Sequence, residues 1–501
     1  MIRRWRVGSR AVVVVLAIAM LAGGCMVGPN YKGPPAVVVP TDFKEMSGWK
    51  VAQPSDHTLR GDWWKIFGDP QLDTLEARVS ISNQNLAQAE AAYRQASALV
   101  RETRASLFPT VTIGAGYTRS GGGASVATSG TSTSRPGPSS VTGGTGSSSN
   151  FFQLGLDVSW TLDLWGKIRR TIESQRGSAQ ASAGDLENAR LSYQTALAQD
   201  YFQLRMVDAQ KKFLDDTVAA YTQYLEMTKN RYAAGVASQA DVVQAETQLK
   251  TTQAQAIDVG VQRAQLEHAI AVLIGEPAST FSLPSAPLTA TPPTIPVGVP
   301  SELLERRPDI AAAERRVAAA NAQVGVAVAA YYPTVTLGLS NGVETSAIGM
   351  LFSAASHFWS VGPSISQTVF DGGLRKAQKE YARAGYDGAV ATYRQTVLTA
   401  FQGVEDNLAA LRILEEEARV QREAVESARQ SVRITTNQYL AGTVPYLNVI
   451  TTQATLLSNE TTLILLEGRR MAAAVLLIQA LGGGWDVADL PSADAVTKGP
   501  K

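Results

Sequence analysis

Four stretches of the chain alternate apolar with small polar residues at period two, the signature of a strand whose faces meet different surroundings. In the first, Val111, Ile113, Ala115 and Tyr117 alternate with Thr110, Thr112, Gly114 and Gly116. In the second, Phe152, Leu154, Leu156, Val158, Trp160 and Leu162 alternate with Gln153, Gly155, Asp157, Ser159 and Thr161. The third sets Val335, Leu337 and Leu339 against Thr334, Thr336, Gly338 and Ser340. The fourth sets Trp359, Val361, Ile365 and Val369 against Ser360, Gly362, Ser364, Ser366 and Thr368. Strands are predicted over about 110–118, 151–162, 334–342 and 358–370. Lengths of roughly 9–13 residues with apolar-out, polar-in alternation suit a membrane β-barrel. A half-buried soluble sheet competes, but a second face of Gly and small polar residues favours the barrel. Asp157 and Asp163 are the acidic residues assigned to the inward side, either as a selectivity feature or as solvated lumen residues.

The segments between strands are helical. No proline lies between Pro138 and Pro277, Pro363 and Pro445, or Pro445 and Pro491, and these gaps are rich in good helix formers. A helix from about Thr171 to Asn230 would be roughly 90 Å long. Val404, Leu411, Ala418, Val425 and Val432 are apolar at a spacing of seven, and the positions 207 lower are Leu197, Leu204, Lys211, Val218 and Leu225. A sustained seven-residue period implies helices that supercoil on one another. Leu408, Glu415 and Arg422 at the second seam position argue against a plain zipper and for broad Ala-rich contact.

The chain is duplicated. Phe108–Gly114 recurs as Tyr332–Gly338 at an offset of 224, and Arg231–Val236 recurs as Gln438–Thr443 at an offset of 207. The first copy therefore holds 17 extra residues, assigned to the Gly/Ser/Thr tract at 120–150, which reads as a long surface loop. The stretch 276–300, with seven prolines, links the halves. The organisation read from these landmarks is a signal at 1–24, a lipidated N-terminal extension at 25–71, a first repeat at 72–275, the linker, a second repeat at 301–482 and a tail at 483–501.

Four strands raise a physical difficulty. In lipid every backbone polar group must be paired, so a sheet cannot leave an edge, and single-chain barrels begin at eight strands. Two hairpins per chain insert only if several chains pool them.

Composition narrows the function. Lys+Arg 45 against Asp+Glu 44 gives a net charge of +1, without the basic excess that nucleic acid requires. One cysteine excludes an internal disulfide framework, and His57, His268 and His357 are too scattered for a metal cluster. Arg3, Arg4, Arg6 and Arg10 precede the apolar run Ala11–Leu21 and then Ala22-Gly23-Gly24-Cys25, an export signal too short to span a bilayer. The cysteine position resembles a bacterial lipobox with Ala22 where Leu is favoured. Cleavage before Cys25 would leave a mature charge of −3, and two or three acyl chains on Cys25 would give firm anchoring. Ser47-Gly48-Trp49-Lys50 satisfies an S-x-x-K pattern but has no companion motifs. No phosphate-cradling loop is present, and no enzyme is read from the chain.

Longer motifs carry a family resemblance over nearly all of the mature chain. They are Val27-Gly28-Pro29-Asn30-Tyr31, Trp63–Leu72, Arg306-Arg307-Pro308-Asp309-Ile310 with Glu314-Arg315-Arg316, Tyr332-Pro333, Phe370-Asp371-Gly372-Gly373 and Leu481-Gly482-Gly483-Gly484-Trp485. In this the chain resembles the outer membrane factor lipoproteins of tripartite efflux systems, the NodT/OprM-like branch of the TolC superfamily. The resemblance implies a mainly α fold with a membrane β-barrel: a trimer with a periplasmic α-barrel, a 12-stranded β-barrel of four strands per chain, and an equatorial domain. It implies a passive exit duct in the outer membrane, lipid-anchored and extending into the periplasm. Its partners would be a periplasmic adaptor and an inner membrane pump taken as proton-driven, with no cofactor.

The family places its periplasmic tips, where the adaptor docks, at the two repeated turns. Here these carry Arg231, Tyr232, Gly235, Val236 and Asp241, then Gln438, Tyr439, Gly442 and Thr443. Gly235 and Gly442 supply the helix stops. The family's aperture has a hydrophobic and an acidic position, which fall on Leu447 and Thr451; Thr451 carries no charge, so closure by Leu447 sterics is expected. Two alternatives stand beside the efflux duct: the outer membrane channel of a type I protein secretion system, and a non-channel coiled-coil structural protein.

Overall fold

The computed structural model describes residues 26–46, 61–121, 148–288, 290–295 and 300–499. Cys25, the export segment, the Ser47–Lys50 pattern and most of the 120–150 tract lie outside the described residues. In chain order the elements are α1 (Pro70–Ser82), α2 (Gln84–Ala105), β1 (Thr110–Gly121), β2 (Ser148–Leu162), α3 (Lys167–Ala233), α4 (Gln239–Leu273), α5 (Leu303–Arg306), α6 (Pro308–Ala329), β3 (Thr334–Thr345), β4 (His357–Ser366), α7 (Leu374–Leu440), α8 (Tyr446–Ala480) and α9 (Ala493–Lys498).

The duplication is carried by matching lengths. Helices α3 and α7 each hold 67 residues, and α4 and α8 each hold 35, at the offset of 207. Helices α2 and α6 each hold 22 residues, and β1 and β3 each hold 12, at the offset of 224. The change of offset falls between the paired strands, where residues 122–147 join β1 to β2 and residues 346–356 join β3 to β4.

The chain forms two compact units, each drawn from both repeats. The first takes residues up to 32, 99–175 and 319–386, and contains the sheet. Its four strands are antiparallel in the order β1-β2-β3-β4, with β1 and β4 as edges. The register Ile113↔Leu156, Val158↔Leu339 and Leu339↔Val361 collects the apolar positions on one face. That face is open: Ile113 is 78% and Ile365 70% exposed. One expectation is corrected. β4 ends at Ser366, not at 370, because its partner Thr334 follows Pro333, so β3 offers nothing further to pair. Gln367 instead donates to the Tyr331 carbonyl (3.0 Å), and Val369 lies beyond the strand.

Asp163 is also corrected. Its carboxylate accepts the backbone N–H of Ile168 (3.0 Å) and of Arg169 (2.9 Å) at the start of α3, and pairs with the Arg169 guanidinium (3.2 Å). It caps a helix, where a carboxylate meets free N–H groups and the positive end of the dipole, and is not a lumen residue. Trp165 stacks on Tyr332 (4.9 Å) and donates to the Pro333 carbonyl (2.8 Å).

The segment after Cys25 is held in this unit. Arg170 is fully buried and donates to the carbonyls of Val27 (3.1 Å) and Gly28 (3.2 Å), to Asn30 Oδ1 (2.6 Å) and to Glu173 (2.8 Å). Gly28, at φ +91°, lies against Gly325 so closely that a Cβ on it would sit 2.5 Å from the Gly325 Cα.

The second unit takes 33–98, 176–318 and 387 onward. Its long helices bury the seven-spaced seam: Leu197, Leu204, Val404 and Ala418 are fully buried. The proline-rich linker is stitched down by a buried polar network. Asp208, fully buried, accepts from Arg205 (3.2 Å), from Arg263 (2.8 Å) and from the Ala286 N–H (3.0 Å). Arg205 also donates to the Pro284 carbonyl (2.8 Å) and Arg263 to that of Leu283 (2.6 Å). Helices α7 and α8 carry a ladder of ion pairs, Arg422–Glu467 (2.6 Å), Arg429–Glu460 (2.5 Å) and Arg469–Glu417 (4.0 Å). The corresponding residues of the first repeat, Asp215 with Gly260, Thr222 with Gln253 and Gln262 with Gln210, cannot form it.

A buried acid and a half-buried one give the unit a pH dependence. Burial pushes Glu76, whose carboxylate oxygens have no partner among the described residues, well above the usual carboxylate range. Burial also pushes Asp200 to about 6. An acid whose folded pKa is raised favours the native state while protonated, so this stability is present below about pH 4 and is lost as pH rises through the folded values. A Glu76→Gln, Asp200→Asn double variant is expected to melt above the wild type at pH 7.5 and together with it at pH 4. Parallel melting curves at both pH values would contradict the assignment.

Candidate functional site

The two repeated turns are built from the same backbone device. At the end of α3, Gly235 (φ +73°) donates to the Tyr232 carbonyl (2.9 Å) and Val236 to that of Arg231 (2.9 Å). At the end of α7, Gly442 (φ +74°) donates to Tyr439 (3.0 Å) and Thr443 to Gln438 (3.0 Å). Both are Schellman caps, which need a left-handed residue after the helix and so select glycine. The second halves differ. Ser238 and Asp241 form a capping box at the start of α4, while Pro445 precedes α8 without a side-chain cap.

The turns present some of the residues assigned to docking and withhold others. Tyr232 and Val236 are 48% and 65% exposed, and Gly235, Gln438, Gly442 and Thr443 are open to solvent. Asp241 is engaged in its capping box. Tyr439 is buried: its ring packs 5.1 Å from Tyr446, in a cluster with Tyr221, Leu225, Ala245, Leu249 and Val449. Arg231 is half-buried, its guanidinium 4.9 Å above the Tyr439 ring. It donates to the carbonyls of Leu440 (3.2 Å) and Tyr439 (3.4 Å) at the C-terminal end of α7, where a cation meets the negative end of the helix dipole. The repeat places Gln438 at the equivalent position, so the clasp runs one way, from the first hairpin to the second.

Leu447 is 55% exposed one residue after the buried Tyr446, and the exposed Thr451 donates its hydroxyl to the Leu447 carbonyl (2.9 Å). The two residues assigned to the aperture therefore share one open face of α8, one turn apart. Sequence reasoning missed the packed cluster beneath them; Tyr439 and Tyr446, seven residues apart across a turn, were the available signal.

The sheet supplies the second part of the site. Its polar face aligns Thr112, Asp157, Ser340 and Ser360 in one row, with Ser340 donating to the Asp157 carboxylate (2.5 Å). Among the described residues no helix is long and apolar enough to cross a membrane, and no group of His, Cys, Asp or Glu could hold a metal.

The outer membrane efflux protein profile matches residues 77–276 and 299–483. The chain is 33% identical over 481 residues to the solvent efflux pump outer membrane protein SrpC of Pseudomonas putida, covering 94% of this chain and 98% of that one. It is 30% identical over 449 residues to the pyoverdine export outer membrane protein OpmQ of Pseudomonas aeruginosa, covering 88% and 91%. Among solved structures it is similar to the outer-membrane channel OprN, with a TM-score of 0.81, 31% identity and coverage of 92% of this chain and 100% of that one. Four antiparallel strands and long paired helices are the fold of the trimeric channels of this superfamily, an α-barrel with a β-barrel. The chain belongs to the outer membrane efflux protein family.

Proposed function

We propose that three copies of the chain form the passive outer membrane exit duct of a tripartite efflux system, docked through the helical turns to a periplasmic adaptor and, beyond it, an inner membrane pump driven by protons. The observation that carries this reading is the sheet, with an exposed apolar face, a small polar face and two open edges. Such a sheet is stable in lipid only when neighbouring copies pair its edges, and three copies of four strands close a twelve-stranded barrel. Acylation of Cys25 would add the anchor, and the buried Arg170 holds the segment that follows it. Native mass spectrometry in detergent tests both, with a trimer carrying acyl mass on each chain as the expected result and an unacylated monomer as the contrary one.

Closure is proposed to rest on Leu447 and on the Arg231 clasp. The adaptor would favour the open form by binding it more tightly, a shift of an existing equilibrium. Removing a cation–π contact and two weak hydrogen bonds amounts to roughly 1.5 kcal/mol per chain, about tenfold in the ratio of open to closed forms for each of the three clasps. In planar bilayers Arg231→Ala is therefore expected to raise the ratio of open to closed time at least about tenfold, and Leu447→Ala to raise it as well. Traces like the wild type for both variants would remove these residues from the gate.

A further inference from the structure

The polar face of the sheet carries a feature that exit-duct function does not require. One row across it is Gly114, Gly155 and Gly342, ending in Phe358 on β4. The ring of Phe358 lies back over the glycines: a Cβ added to Gly342 would meet its Cε1 at 3.0 Å, and one added to Gly155 would meet its Cζ at 3.6 Å. A side chain in place of either glycine would compete for this space, so the row forms a floor with one aromatic wall. Asp157 lies one row from Gly155 on β2, and Glu344 one row from Gly342 on β3 in the opposite direction, each about 7 Å along its strand from a glycine beneath the Phe358 ring. Both are exposed. No Lys, Arg or His occupies this face among the described residues, and Phe151 is its other aromatic residue.

We propose that this patch is a transient binding site for aromatic organic cations on the channel wall, with Phe358 taking the ring face and Asp157 and Glu344 the charge. The inference rests on reading the polar face as the lumen lining. A cation near an aromatic face and two uncompensated carboxylates is attracted by both, whereas an anion meets neither. The same carboxylates, repeated in each of three chains, make the barrel prefer cations in general.

Two measurements on the reconstituted channel separate these elements. Under a tenfold KCl gradient the reversal potential should lie on the potassium side of zero, and Asp157→Asn with Glu344→Gln should bring it to near zero. Benzyltrimethylammonium should block in longer events than tetraethylammonium. Phe358→Ala should shorten those events about tenfold while leaving the reversal potential in place. Should Phe358→Ala fail to assemble, Phe358→Leu keeps the glycines covered, removes the ring and carries the same test. An unselective or anion-selective wild type, or block events indifferent to residue 358, would overturn the proposal. A wild type that conducts nothing would instead refute the channel reading, and the inference with it.

Discussion

Replacing Asp208 with alanine is expected to destabilise the protein by about 3–5 kcal/mol, the cost of breaking one side of a buried ion network. Asp208 is fully buried and answers two guanidiniums, one of them on the almost fully buried Arg205. Its removal leaves those charges without an anion and frees the Ala286 N–H, so the linker loses its hold on α3 and α4. Large assemblies unfold irreversibly, so the proper readout is the temperature at which the trimer dissociates at a fixed heating rate. A fall of roughly 3–5 °C is expected, scaled from the entropy of a chain of this size. Asp208→Asn, which keeps the acceptor and loses the charge, should lie between the two. If alanine leaves the dissociation temperature within a degree of wild type, the network is not what fastens the linker.

Gly28→Val is expected to have the second large effect. The residue is left-handed, and its missing Cβ is occupied by Gly325 at 2.5 Å, so a branched side chain meets backbone on one side and strain on the other. The segment from Met26 to Asn30 should leave its seat, exposing the otherwise buried Arg170 with its donors unsatisfied. Trypsin should then cut at Lys32 at least about tenfold faster than in wild type, the counterpart of a local opening made easier by 1.4 kcal/mol. Mass spectrometry of the N-terminal fragment reads the rate. An unchanged cut rate would mean that the segment is held by contacts other than the Gly28–Arg170 seat.

What was legible in the sequence is what repeats locally. Each strand showed itself because lipid-facing and inward residues differ in kind, and the heptads because a supercoiled seam must return every seven residues. Strand ends were less legible: Val369 keeps the alternation of β4, yet pairing had stopped at Ser366 because a proline precedes the partner strand. The turns could be placed from Gly235 and Gly442, but only the seven-residue spacing of Tyr439 and Tyr446 hinted at the buried cluster, since members such as Tyr221 and Leu249 come from the other repeat. Arg170 and Asp208 were silent for the same reason. Arg170 bonds Val27 across a separation of 143 residues, and Asp208 bonds Ala286 across 78, distances at which no local period leaves a trace.

The ion-pair ladder between α7 and α8 is not repeated at the equivalent positions of α3 and α4, whose Arg263–Asp208 pair is largely buried and shielded from solvent. Exposed pairs of this kind each contribute little and fade as electrolyte is added, whereas apolar seams do not. Brine therefore loosens one leg of every subunit and spares its twin, so the ionic strength of the surrounding fluid acts as a dial on half of the bundle.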